Sequence, residues 1–217
     1  MDLLPSPEDV LALLRRTGAL RDGHFAYTPE IHTDQHLETA LAMRSWQNAR
    51  LLSVALSRLV RGEIALRAVL PQLSIVAASA SGIPIACGLA EVLHPAKVYW
   101  VERDDAAGPV RFAQFLRPCP GEKVLVVDDF IHSGRHLAEA AELLQSCDAK
   151  VEGIAVLIRQ PNGTAISFGQ VPVLSLASVP APHYWKAADC PRCRRGEPVE
   201  GEAHDLLREA AACASAR

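Results

Sequence analysis

At 217 residues, the chain is long enough for one domain with a sizeable core, alone or with small appendages. A hydrophobic share of 49% against 22% charged residues is an ordinary globular balance, and a formal net charge of -3 excludes a whole-protein basic field for nucleic acid. No apolar run reaches membrane-spanning length, and "MDLLPSPEDV" lacks the basic start and apolar core of a signal peptide, so a cytoplasmic protein without a membrane partner is expected.

In chain order, Pro7 to Thr17 reads as a first helix, with Val10, Leu11, Leu13 and Leu14 apolar and Gly18 as its stop. "HFAYTPEIHTDQHLET" reads as an antiparallel excursion turning at Pro29. Met43 to Val60 is a second helix, its apolar stripe formed by Leu51, Leu52, Ala55, Leu59 and Val60. Leu73–Ala78 is a buried strand, and Ile83–Leu93 is a helix opened by Pro84. Val98–Val101 is a strand, "ERDDAAGP" a polar turn, and Val110–Phe115 its hairpin partner. Val124–Val127 is a strand, Arg135–Cys147 a helix, and Glu152–Ile158 and Val171–Ala177 are further strands. Continuous apolar strands alternating with helices imply an α/β fold with a mostly parallel central sheet flanked by helices. The expected division is a main domain over residues 1–180, with a small N-terminal unit to about residue 42 and a C-terminal appendage over 181–217.

The segment "KVLVVDDFIHSGRHLAEAAELLQ" carries the chemistry. In an open α/β sheet, ligands bind beyond the C-terminal ends of the strands. Asp128 and Asp129 follow such a strand, and residues 131–136 lead into a helix whose N-terminus favours phosphate. Ser133 adds a hydroxyl donor and Gly134 permits close backbone approach. Carboxylates beside a phosphate cradle suit sugar hydroxyls or Mg²⁺, so the deduced ligand is a sugar phosphate. An ordinary turn after a solvated acid pair is the plainer alternative. "AASASGIPIA" offers a second small-residue loop, Ser79, Ala80, Ser81 and Gly82, able to turn amides toward a second anion. Tight helix–strand packing selects the same residues.

These segments resemble the type I phosphoribosyltransferases, and most closely the orotate phosphoribosyltransferases. "VLVVDDFIHSG" is similar to their phosphoribosyl pyrophosphate (PRPP) motif, and "SASGIPIACGLAEVL" to their pyrophosphate loop and following helix. "GALRDGHFAYTPEIHTDQHLE" resembles the N-terminal hood that helps cover the base, and "ADCPRCRRGEPV" a Cys-Pro-x-Cys tail of one bacterial branch. The resemblance runs from about Leu11 to Val199.

It implies that Asp128 and Asp129 hold the ribose hydroxyls, and that Ile131, His132, Ser133, Gly134, Arg135 and His136 wrap the 5-phosphate. Ser79, Ala80, Ser81 and Gly82 would face the pyrophosphate, with Mg²⁺ carried by PRPP and no assigned protein ligand. Arg103 and Arg111 would be the basic residues of the catalytic loop, with Thr28 and His32 near the base. Phosphoribose would pass from PRPP to a pyrimidine base, orotate giving orotidine 5-monophosphate, in a homodimer as in the family. The oxocarbenium-like transition state would leave the protein mainly positioning and charge stabilisation to supply.

Two departures keep alternatives open. Arg135 and His136 stand where the family carries a glycine and a hydroxyl residue. A backbone requiring positive φ would strain Arg135, whereas added positive charge would hold the phosphate differently. "VERDDAAGPVRFAQF" contains Glu102, Asp104 and Asp105 beside its two arginines, and no lysine. A catalytically impaired PRPP- or nucleotide-binding regulator, or a phosphoribosyltransferase for another base, are the rival readings.

Cys190 and Cys193 have zinc-knuckle spacing, but a structural zinc needs about four ligands. His183 and His204 are the neighbours in sequence. Reduced thiols or a disulfide are therefore expected ahead of zinc.

Overall fold

The computed structural model describes residues 5–26, 31–103, 108–113, 116–160, 165–180, 183–184 and 186–200. Helix α1 (Pro7–Arg16) begins where expected because Ser6 and Asp9 form a capping box: the Asp9 N–H donates to Ser6 Oγ at 3.1 Å, and the Ser6 N–H donates to Asp9 Oδ2 at 2.9 Å. Strands β1 (Leu20–Ala26) and β2 (His32–Leu37) form the expected antiparallel excursion. Its turn at Pro29 lies outside the described residues.

The second helix, expected over Met43–Val60, is α3 (Trp46–Gly62); a short α2 (Ala40–Met43) precedes it, with Ser45 extended between them. Its buried face is also different from the expected stripe. Leu52, Ala55, Leu56 and Val60 are inside, whereas Leu51 and Leu59 remain 41% and 37% exposed. Ser53 and Ser57 take buried places beside the apolar ones, so polarity alone misplaces the stripe. A short α4 (Ile64–Val69) then leads to β3 (Leu73–Ala77), α5 (Ile83–Leu93) and β4 (Val98–Glu102).

Strand β5 (Arg111–Phe112) pairs antiparallel with β4, as the hairpin reading requires. β6 (Lys123–Ile131), α6 (Arg135–Gln145), β7 (Lys150–Arg159) and β8 (Val173–Ser178) complete the main body. The six-stranded sheet has the order β5-β4-β3-β6-β7-β8. Neighbours from β4 through β8 run parallel. Fully buried side chains such as Ile75, Leu125, Leu56 and Leu89 fill one face, and Val76, Val126, Leu137 and Leu144 the other. Helices on both faces explain why β3, apart from Ser74, and the centre of β6 read as apolar runs.

The C-terminal segment supplies β9 (His183–Tyr184) and α7 (Pro191–Arg194). β9 adds to β2, giving a second sheet of order β1-β2-β9. Residues expected as an appendage therefore complete the hood sheet. Tyr184 Oη donates to Asp34 Oδ2 at 3.0 Å, and Arg192 pairs with Asp34 at 2.8 Å, which reinforces this join. Among the described residues, no helix is long and apolar enough to cross a membrane.

Candidate active site

From β3 the chain crosses through α5 to β4 on one side, while β6 lies on the other side of β3. The strand order reverses there, so a crevice opens between the ends of β3 and β6, the place where open α/β sheets bind ligands. β6 is longer than Val124–Val127. Pairing with β3 stops at Val127, but pairing with β7 continues through Asp128 and Phe130 to Ile131. The acid pair consequently lies within a strand, one edge of which has just been released.

Both carboxylates are buried: Asp128 is 2% exposed and Asp129 6%. Successive strand residues point to opposite faces, so the two acids meet different partners. Ser79 Oγ donates to Asp128 Oδ1 at 2.5 Å, and the Asp129 N–H donates to the same oxygen at 3.0 Å. Thr39 Oγ1, just before α2, donates to Asp129 Oδ2 at 2.5 Å. Burial, and secondly the neighbouring Asp129 charge, push Asp128 up to about 7, against the pull of its two hydrogen bonds. An acid with that poise binds a proton or a hydroxyl donor with little further rearrangement.

A cleft of about 230 Å³ sits over this pair, lined by both aspartates, Ser81 and residues 132–137. Gly134, at φ +79°, reverses the chain into α6 in a conformation that other L-residues reach with difficulty. The first amides of α6 lack intrahelical acceptors and sit at this cleft, the arrangement that favours an anion. Arg135 is the first helical residue, and the positive-φ residues other than glycine are His94 and Asp148 among those described. The strain foreseen for Arg135 is thus absent, because the left-handed position falls on Gly134.

The side chain of Arg135 reaches Glu139 at 2.8 Å, one turn along. Glu139 also pairs with Arg103, whose side chain is 19% exposed. Arg103 therefore docks on α6 rather than lying in solvent. Arg111 pairs with Glu102 at 3.3 Å. His136 is exposed at the cleft, yet it is held below the ordinary histidine value, first by desolvation of its ring and then by Arg103. Positive charge in this loop accordingly comes from Arg135 more than from His136.

The small-residue loop packs directly on the acids. A Cβ on Gly82 would lie 3.0 Å from the Val127 carbonyl oxygen and 3.1 Å from Asp128 Oδ1. Ser79 and Ala80 face a second cleft of about 380 Å³ that Trp100, Arg103 and Val110 also line, with His136 at the border of both. The loops after β3 and β6 are thereby brought together with Arg103.

Of the two residues assigned to the base, Thr28 lies outside the described residues. His32 lines neither cleft; it is buried, with Nδ1 2.8 Å from His24 Nε2 and 3.2 Å from Cys193 Sγ. Thr39 is the site residue that sequence reasoning missed. Its only signal was a hydroxyl between the hood and the second helix, which does not reveal a partner 90 residues away.

The phosphoribosyl transferase domain family model matches residues 72–192. An orotate phosphoribosyltransferase of Thermus thermophilus is 29% identical over 192 residues, covering 88% of this chain and 98% of that one. The enzyme of the same name from Thermotoga petrophila is 29% identical over 188 residues, covering 87% and 94%. Among solved structures, orotate phosphoribosyltransferase from Aeropyrum pernix superposes with a TM-score of 0.62 at 21% identity, over 78% of this chain and 93% of that one. Adenine phosphoribosyltransferase from Thermoanaerobacter pseudethanolicus gives 0.58 at 14% identity, over 77% and 99%. The shared fold extends across acceptor bases.

Proposed function

Because the chain belongs to the phosphoribosyl transferase domain family, we propose that it transfers phosphoribose from PRPP to a pyrimidine base, with orotate the acceptor and orotidine 5-monophosphate the product. The observation that carries this reading is the buried acid pair between the Ser79–Gly82 loop and the N-terminus of α6. Orotate is favoured over other bases by relatives of that name that match nearly end to end.

In this reading Asp128 and Asp129 accept hydrogen bonds from the ribose hydroxyls. Ser133, Gly134 and the first amides of α6 hold the 5-phosphate, and Ser79–Gly82 face the pyrophosphate. Fixing both ends of PRPP orients the ribose carbon toward the base nitrogen, and the acids lie beside the cationic sugar that develops as pyrophosphate departs. The carboxylates of Asp128 and Asp129 and the hydroxyls of Ser79 and Ser81 are hard oxygen donors of the kind Mg²⁺ takes. Mg²⁺ carried with PRPP would offset the charge of the leaving diphosphate. A homodimer is part of the proposal; Trp46 and Ile64, 65% and 73% exposed around α3 and α4, offer apolar surface for it.

The test is calorimetry with PRPP and Mg²⁺, followed by orotate and a pyrophosphate assay. Binding with pyrophosphate release is the expected result. Binding with no release for orotate, but release for another base, would replace the acceptor. PRPP binding without release for any base would leave a regulator.

One observation favours that second reading: both candidate loop arginines are engaged by acids of the chain itself, Arg103 by Glu139 and Arg111 by Glu102. Glu139→Gln separates the cases, since glutamine keeps the helix and removes the charge. We expect several-fold tighter binding of inorganic pyrophosphate and a faster transfer step, as Arg103 is released toward the second cleft. Unchanged affinity and rate would remove Arg103 from the leaving-group site.

A further inference from the structure

Away from the acid pair, four potential metal ligands converge. The nearest ligand atoms of His24, His32, Cys190 and Cys193 all lie within 4.8 Å of one another. His24 and His32 come from the two hood strands, while Cys190 caps α7 and Cys193 lies within it. His24 is 1% exposed, His32 6% and Cys190 0%. We infer that these residues form a structural zinc site that fastens the C-terminal segment to the hood.

The separations support a tetrahedral ion. Zinc with Zn–N of about 2.0 Å and Zn–S of about 2.3 Å has N–S edges of about 3.5 Å. His24 Nε2 is 3.5 Å from each sulfur, and His32 Nδ1 is 3.2 Å from Cys193 Sγ. The two nitrogens, 2.8 Å apart, would separate by about half an ångström on binding, toward an N–N edge of about 3.3 Å.

The tautomer of His24 is set for ligation. Its Nδ1 lies 2.9 Å from the Glu197 carbonyl oxygen. A carbonyl only accepts, so Nδ1 carries the hydrogen in the neutral ring and Nε2 turns its lone pair into the cluster. The local backbone assists: β1 is irregular between Asp22 and Phe25, three steps opposing two on β2. The extra residue is what re-aims a side chain at a bulge, and His24 is in that stretch. The partners of the Cys-x-x-Cys pair are thus not its neighbours in sequence, and zinc takes the place of the reduced thiols or disulfide expected there. His204 lies outside the described residues, and His183 pairs through its backbone with Thr33.

With four protein ligands, no position remains for a reacting water, so the site is structural. The test uses the full chain, reduced, incubated with Zn²⁺ alone and desalted. One Zn²⁺ per chain is expected. With Co²⁺, the ligand-field and thiolate charge-transfer bands of a tetrahedral two-thiolate site are expected. Cys190→Ser with Cys193→Ser should abolish both signals, and His24→Gln should change the cobalt spectrum.

The wild-type chain gives a reading that depends on no variant. Zn²⁺ should shield two thiols from a chromogenic disulfide reagent, and a chelator should expose them while opening Arg194 and Arg195 to trypsin. Less than stoichiometric zinc in the wild type, a cobalt spectrum without thiolate bands, or full zinc retention without the two cysteines would overturn the site.

Discussion

Replacing both acids, Asp128→Asn with Asp129→Asn, is expected to weaken PRPP binding by about 10²–10⁴-fold while raising thermal stability above neutral pH. The loss of affinity follows from losing two charge-assisted hydrogen bonds, each worth roughly 1.5–3 kcal/mol. The stability gain has a sign fixed by linkage. The folded Asp128 holds its proton up to about 7, against an ordinary value of 3.8, through burial first and then through Asp129. Between those values the native state binds more protons than the unfolded chain, so stability falls as pH rises across that window. A displacement of about 3 units corresponds to at most ~4 kcal/mol, all of it lost above pH 7.

An asparagine in place of Asp128 has no proton to lose, so the variant's melting temperature should stay level from pH 5 to pH 8 while the wild type declines. PRPP affinity of the wild type should rise over the same interval, as Asp128 loses its proton and becomes an acceptor only. Calorimetry and thermal melts across that range check both halves. Parallel melting curves would show that Asp128 ionises without strain, and undiminished PRPP affinity in the variant would sink the site.

The second large effect is expected at Gly82. It is needed for close approach, its φ of -74° being open to any residue. A Cβ there meets the Val127 carbonyl oxygen at 3.0 Å and Asp128 Oδ1 at 3.1 Å, contacts that only a backbone shift relieves. Gly82→Val should cost about 1–3 kcal/mol by overpacking, lowering the melting temperature by several degrees. It should also disturb PRPP binding, because α5 is pushed away from β6 and the Ser79–Asp128 hydrogen bond goes with it. Gly82→Ala should show the same pattern more weakly. Normal affinity in a destabilised Gly82→Val chain would show that the small-residue loop serves packing alone.

Much of the fold and the centre of the site were legible because they depend on local pattern. Val124–Val127 and Leu73–Ala78 read as buried strands since both sheet faces are covered, and the acid pair after the first marked the crevice. The continuation of β6 to Ile131 was hidden, because two aspartates inside a strand read as its end. Only β7, pairing on one side, keeps them in register.

Contacts between distant segments were illegible for a different reason. Thr39 reaches Asp129, and Glu139 collects Arg103, through tertiary placement that no spacing encodes. Which residue of the loop before α6 takes the left-handed conformation stayed open, since Gly134 and Arg135 are adjacent and composition does not say which one turns. His24 could have been suspected. Two histidines flanking a predicted hairpin turn, together with Cys-x-x-Cys, are a four-ligand inventory, but their meeting depends on the bulge in β1.

The pairing of β2 with β9 also orders events during folding. Tyr184 and Asp34 are 150 residues apart in sequence, while the parallel body between them closes through crossovers of ordinary length. Bringing such distant segments together carries the larger entropic penalty and forms non-local contacts, which delays them. The β2–β9 pairing is therefore expected to form later than the local β1–β2 hairpin, which leaves the three-stranded sheet to be completed last.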